Sequence, residues 1–194
     1  MDLHPPLTAT PRLVHTREIV CHGYLRDDGL VDVESSMRDI STAGSKLFFK
    51  PLGPGEDLHR MRLVLTVDAG LVLRVIQVHT EAAPTPWCAE GNAVYDSLVG
   101  LKIGPGFTRN VRALVGGAKG CTHVTELIGP AATTAMQTWF ALGREREDLR
   151  AVHVRAGALP RPALADTCQA YRSDGQALQA IWPLHRRATA SHAE

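Results

Sequence analysis

Two pairs of extended segments, each joined by a turn rich in aspartate and glycine, constrain the fold of this chain most strongly. In the second pair, apolar residues occupy every second position from Met61 to Val67, Asp68-Ala69-Gly70 supplies a turn, and residues 71–80 are again β-rich. In the first pair, residues 12–26 and 30–40 flank Asp27-Asp28-Gly29. A period of two interrupted by such a turn is typical of antiparallel hairpins.

The pattern changes from strands to helices at Pro84. Thr85 can cap a helix, and Pro86 suits a first helical turn. Strands followed by helices predict an α+β fold, with an antiparallel sheet of hairpins and helices packed on one face. The expected helices are one starting near Pro86 and ending at Gly104-Pro105-Gly106, a second over 107–115, a third over 121–142 interrupted at Gly129-Pro130, and short helices within 166–182.

The domain boundaries follow from the ends of these patterns. Residues 1–11 hold three prolines and little periodicity, which predicts a flexible arm. Residues 12–183 are then a single α+β domain, and residues 184–194 a flexible tail. A chain of 194 residues and 21.0 kDa is long enough for one domain with a real core.

The overall charge and hydropathy exclude several classes of protein. The net charge is +1, whereas a general nucleic-acid binder usually has a basic excess. No apolar run approaches the roughly 18 residues of a membrane span, and the N-terminus lacks an apolar export signal. We therefore expect a cytoplasmic protein with reduced thiols that binds neither nucleic acid nor membrane. The sequence does not decide whether the chain forms a homo-oligomer or binds a protein partner.

The segment GGAKGCTHVTE, residues 116–126, carries the strongest chemical signal. Cys121 and His123 lie two residues apart where a helix should begin, and a helix N-terminus favours a thiolate. A thiolate and an imidazole can share a metal ion, or act as nucleophile and base. Glu126 follows on the same helical face, as a ligand, a partner of the imidazole or an exposed carboxylate. These three residues are the catalytic candidates.

A second cysteine, Cys88, lies in the first turn of its own predicted helix. Metal sites gather ligands from separate elements, so we predict a zinc or iron centre at Cys88, Cys121 and His123. Cys168 or His59 is the expected fourth ligand. Such a centre could also be an iron–sulfur centre.

Other residues and motifs are assigned no chemistry. Cys21 falls inside a strand and is predicted to be structural. Asp39 and Asp68 are interpreted as turn or strand-end residues. The chain has no phosphate-binding loop, and its Gly104-x-Gly106 follows a helix, where a dinucleotide fingerprint would follow a strand. No nucleotide cofactor is therefore expected.

Several segments in fixed order resemble one family. They are REIVCHGYLRDDGLVDVESSMRDI, DLHRMRLVLTVD, PWC, LVGLKIGPGF and GGAKGCTHVTEL. Together they resemble the bacterial domain-of-unknown-function family DUF2889 over residues 12–139, with a weaker match at 166–182. The family implies no established activity, and its pattern includes the positions of His59, Cys88, Cys121 and His123, with Cys168 in the weaker part.

A more remote resemblance concerns the layout of a hairpin, a helix beginning near a cysteine, and a later Cys/His helix start. This order is similar to that of iron–sulfur cluster assembly scaffold proteins. The chain has Cys-Thr-His where those proteins have adjacent His-Cys, and Pro-Trp-Cys in place of their glycine-rich first cysteine loop. The resemblance implies a shared layout.

Three functions remain open from the sequence. The first is a metal-binding protein with a Cys/His site. The second is a small metal- or thiol-dependent enzyme that uses Cys121 and His123. The third is a metal-free accessory module whose thiols only pack.

Overall fold

A computed structural model describes residues 10–146 and 148–188. The chain divides into two compact units, Met1–Phe140 and Ala141–Glu194. The predicted flexible arm and tail fall mostly outside the described residues. The first unit contains the main sheet, most of the longest helix, and most of the candidate functional residues.

The main sheet has four strands, and every neighbouring pair is antiparallel. Both predicted hairpins are present, and their second and third strands pair with each other at the centre of the sheet. The α+β prediction is therefore confirmed. In sheet order the strands are β1 (His15–Leu25), β2 (Val31–Ser41), β5 (Asp57–Val67) and β6 (Leu73–Ala82), while the short β3 (Ser45–Lys46) and β4 (Pro51–Leu52) pair separately.

Only one face of the sheet is buried. Along β2 and β5 the odd-numbered residues point inward, and most of them are fully buried, as at Val33, Met37, Met61 and Leu65. The even-numbered residues of these two central strands include most of their charged side chains. The alternation thus sets which face the helices cover, because successive side chains of a strand point to opposite faces.

Helices follow the sheet in the first unit. A 3-10 helix spans Cys88–Leu98, α1 spans Phe107–Val115, a short 3-10 turn spans Gly117–Lys119, and α2 spans Thr122–Arg146. The prediction of α1 is confirmed. The first helix, expected to end at Gly104-Pro105-Gly106, is of the 3-10 type and ends earlier, at Leu98.

The expected break at Gly129-Pro130 does not occur, since α2 continues through Pro130. A proline removes one backbone donor and costs helical stability. Here α2 buries an apolar stripe that extends on both sides of Pro130, and its burial offsets this loss. The stripe consists of Val124, Leu127, Ile128, Ala131 and Ala135.

The second unit is built from short elements. They are α3 (Leu149–Arg155), α4 (Gln176–Ile181) and 3-10 turns at Gln169–Tyr171 and Leu184–Arg186. Leu178 is fully buried, and the Trp182 indole donates a hydrogen bond to the Leu159 carbonyl at 2.9 Å. Within the described part of the chain, no helix combines the length and the apolar character needed to cross a membrane.

Candidate metal site

Three polar residues form a row across the buried face of the sheet near one end. Arg17 of β1 pairs in register with Asp39 of β2, which pairs with His59 of β5. Residues in register on neighbouring strands share a face, so these side chains lie side by side. Asp39 is 1% exposed and His59 is 8% exposed. A register shift follows between Asp39 and Ile40, where the regular pairing ends.

The start of α2 brings His123 onto this row. His123 lies in the first turn of the helix, and its ring stacks on that of His59, with 3.7 Å between ring centroids and 30° between planes. Its Nε2 is 3.8 Å from Asp39 Oδ2, and His59 Nδ1 is 3.1 Å from the same oxygen. Two imidazoles therefore face one carboxylate oxygen.

Asp39 is held by further donors. Arg17 donates from Nε to Oδ1 and from Nη2 to Oδ2, both at 2.7 Å, and His15 Nε2 lies 3.2 Å from Oδ1. The Arg17 hydrogen bonds lower the pKa of Asp39 to about 2, against the opposing effect of burial. The carboxylate is thus ionised at neutral pH.

Both imidazoles favour the neutral form. Burial lowers the pKa of His59, and a positive charge on His123 would lower it further. Burial is also the main cause that lowers the pKa of His123. Stacked rings cannot readily both be charged, and a neutral imidazole is the form that binds a metal. Each group therefore has the protonation state that a metal ligand requires.

The spacing of the ligand atoms suits one ion. One ligand atom from each of Asp39, His59 and His123 lies within 4.8 Å of the other two. Two ligands at about 2.1 Å from a tetrahedral ion are about 3.4 Å apart. The separations of 3.1 and 3.8 Å from Asp39 Oδ2 bracket that value.

Four of the predicted ligands line one pocket, but their ligand atoms do not all lie close enough to hold one ion. His59, Cys88, Cys121 and His123 all line one pocket of about 390 Å³. Among the described residues, however, no group of three close ligand atoms contains a cysteine. Cys88 Sγ lies 3.2 Å from Thr85 Oγ1 in its own turn.

Cys121 and Asp39 approach different nitrogens of the His123 ring. Cys121 Sγ is 3.9 Å from His123 Nδ1, whereas His123 Nε2 is directed at Asp39. Of the residues predicted to hold the centre, Cys88, Cys121 and His123, only His123 belongs to the close ligand group among the described residues. The candidate ligand group is instead one carboxylate and two imidazoles, including His59, which was predicted as an alternative fourth ligand.

The remaining candidates occupy separate positions. Glu126 accepts a hydrogen bond from Arg17 Nη1 at 2.7 Å, so it touches the site through Arg17. Cys168, the other proposed fourth ligand, is exposed and belongs to the second unit. Cys21 lies in β1 opposite Ser35, outside the ligand group.

Sequence reasoning missed Asp39, although a usable signal was present. Asp39 lies near the end of β2, as a strand-end residue would, but its side chain continues the inward alternation of β2 after Met37, just as His59 precedes Met61 in that of β5. A carboxylate at an inward position needs partners, which the strand pattern alone does not name. Asp68, in contrast, accepts hydrogen bonds from the backbone of Gly70 and Val72 and is the expected turn residue.

Comparisons with other proteins place the chain in a family without assigning chemistry. The family model described as "Protein of unknown function (DUF2889)" matches residues 15–137. No curated protein and no solved structure matches the chain. The layout resemblance to iron–sulfur scaffold proteins is not confirmed. The match covers well over half of the chain and includes Asp39, His59 and His123, so the chain belongs to the DUF2889 family.

Proposed function

We propose that the protein binds one divalent transition-metal ion, zinc or iron, at Asp39, His59 and His123. The observation that carries the proposal is the group of three ligand atoms within 4.8 Å, built from an ionised carboxylate and two imidazoles of lowered pKa. Imidazole and carboxylate ligands suit zinc and iron(II). An iron–sulfur centre is less well suited, because clusters are held mainly by thiolates.

The local charge also favours a cation. The carboxylates of Asp39 and Glu126 share one guanidinium, that of Arg17, while the two imidazoles are neutral. Apart from His15, which lies against Asp39 Oδ1, these groups sum to one net negative charge before an ion enters. In our proposal Arg17 stays on Asp39 and orients the carboxylate, as the outer partners of metal ligands commonly do.

The ligand number favours a reactive centre over a purely structural one. Structural zinc sites usually have four protein ligands, whereas catalytic sites have three and one position for water or substrate. The pocket of about 390 Å³ borders His59 and His123, so an exchangeable ligand could approach from it. A bound ion with an open position can activate water or polarise a carbonyl. We therefore extend the proposal to a small metal-dependent enzyme.

The experiment is metal titration of protein stripped with chelator, with elemental analysis of the bound fraction. We expect about one equivalent of zinc or iron(II) in the wild type. His59→Ala and His123→Ala should each weaken binding by more than the roughly 10- to 100-fold loss typical of an outer partner. His79→Ala is the matched control, since His79 is an exposed histidine of β6.

Two results would overturn the proposal. The first is a wild type that never retains metal under any of these conditions. The second is a loss of binding in His79→Ala as large as that in His123→Ala.

A second candidate function is metal-free thiol chemistry at Cys121. The observation in its favour is the chain of contacts from Cys121 Sγ to His123 Nδ1 at 3.9 Å and from His123 Nε2 to Asp39 Oδ2 at 3.8 Å. A nucleophile, a base and an orienting carboxylate share this order in thiol enzymes.

The two candidates need different tautomers of His123. A metal takes the Nε2 lone pair and leaves a proton on Nδ1, whereas thiol chemistry needs the Nδ1 lone pair facing Cys121. Iodoacetamide labelling of metal-free protein separates them. Selective modification of Cys121, lost in His123→Ala, together with no metal binding, would favour the thiol function.

A further inference from the structure

We propose that two copies of this chain pair through strand β1, edge to edge and antiparallel, and so form a continuous eight-stranded sheet. The proposal concerns an interaction surface and does not depend on the metal site.

The first observation is the open edge of β1. Among the described residues this strand is last in the sheet order and pairs only with β2, over eleven residues without a register shift. It contains no proline. A long, regular edge strand offers a row of backbone donors and acceptors, which proteins usually interrupt or cover.

The opposite edge of the sheet is covered at the start of its edge strand. The segment after the 3-10 helix runs beside the start of β6, where the Leu73 amide donates to the Leu101 carbonyl and the Gly100 amide donates to the Leu73 carbonyl. Val72 also forms a bridge with Lys102. The two edges of one sheet therefore differ, and β1 is the edge without such cover among the described residues.

The second observation is unburied apolar surface along β1. Ile19 is in register with Met37 and Met61, which are fully buried, yet Ile19 is 36% exposed. Val20, Tyr24 and Leu25 are each close to half exposed. Several exposed apolar residues in one strand are typical of a surface that another chain covers.

The third observation is that the strand is complementary to itself in one register. If Val20 lies on the two-fold axis, it faces its own copy, and Glu18 faces His22 of the second copy. All three side chains are on the same face, since they alternate along β1. Apolar contact at the axis flanked by a carboxylate and an imidazole on each side is favourable. This self-complementarity, required of a two-fold interface, is why we assign a second copy as the occupant.

The first test is the mass of the protein in solution, measured by light scattering over roughly a hundredfold range of concentration. We expect a dimer for the wild type that dissociates on dilution. Val20→Lys should be monomeric, because like charges would meet at the axis. Val75→Lys is the matched control: Val75 is 44% exposed on the other edge strand, so this variant should stay dimeric.

The second test fixes the register and does not depend on the charged variant. In Val20→Cys the two new thiols would face each other, and directly opposed residues of an antiparallel pair are within disulfide range. Mild oxidation should cross-link Val20→Cys through residue 20, but should not cross-link Val75→Cys. A wild type that is monomeric at every concentration would refute the proposal. So would a Val20→Lys dimer as stable as the wild type, or equal cross-linking of the two cysteine variants.

Discussion

Replacing Arg17 by Gln removes the main partner of a buried carboxylate and leaves the carboxylate in place. Asp39 is 1% exposed, and Arg17 makes two of its hydrogen bonds at 2.7 Å. These bonds are the largest cause of the fall in the pKa of Asp39 from 3.8 to about 2. One pKa unit corresponds to about 1.4 kcal/mol, so the shift stabilises the folded protein by about 2–3 kcal/mol at neutral pH.

The sign of the pH dependence follows from the lowered pKa. The unfolded chain binds the Asp39 proton more tightly than the folded protein does, so folding is favoured where the carboxylate is ionised in both states. The stabilisation is fully present above about pH 4 and is lost as the pH falls toward 2. Burial opposes this shift and would remain in Arg17→Gln, so urea unfolding of metal-free protein should show a loss of at least about 2 kcal/mol for Arg17→Gln at pH 7, and a much smaller loss near pH 2.

Arg62→Gln provides the control for removal of a surface arginine. Arg62 Nη1 is 3.6 Å from Glu81 Oε1, and both side chains are partly exposed. Such a pair contributes at most about 1 kcal/mol. If Arg17→Gln loses no more stability than Arg62→Gln, or if its loss is the same at pH 7 and near pH 2, the electrostatic reasoning about Asp39 is wrong.

Two further substitutions test the packing and the surroundings of the site. A Cβ at Gly23 would lie 1.9 Å from Thr138 Oγ1, so Gly23→Ala should cost about 1–3 kcal/mol in urea unfolding and be partly rescued by Thr138→Ala. Gly143, inside α2, has open space around it, so Gly143→Ala should instead stabilise by about 0.5–1 kcal/mol through helix propensity. Destabilisation of the same size at both glycines would contradict this packing. Cys121→Ser should weaken metal binding by about 10-fold or more through the contact of Cys121 with His123, while Cys21→Ser should leave binding unchanged. A metal titration in which Cys21→Ser loses more affinity than Cys121→Ser would show that the contact has no role.

The local pattern was enough to predict the four strands of the main sheet, but not the short β3 and β4. In β2 and β5 most buried residues fall on alternate positions, and a turn with aspartate and glycine closes each hairpin. Residues close in sequence therefore decide the pairing of the two strands within each hairpin. The order of the hairpins in the sheet was not predicted, because pairing of β2 with β5 joins residues of different hairpins. The continuation of α2 through Pro130 was also missed, since it depends on the burial of residues that flank the proline.

The candidate metal site was likewise predicted from the sequence only in part. The sequence by itself pointed to His123 at a helix start, with Cys121 beside it and His59 before a strand, because helix punctuation and residue type are local properties. It could not choose among the possible partners of His123. That choice depends on the register that places Asp39 beside His59, and on the packing of α2 that stacks His123 over His59. Only the tertiary structure decided that a carboxylate and two imidazoles, and not two thiols, face one another, because contacts between residues 39, 59 and 123 arise when the sheet and the helix pack together.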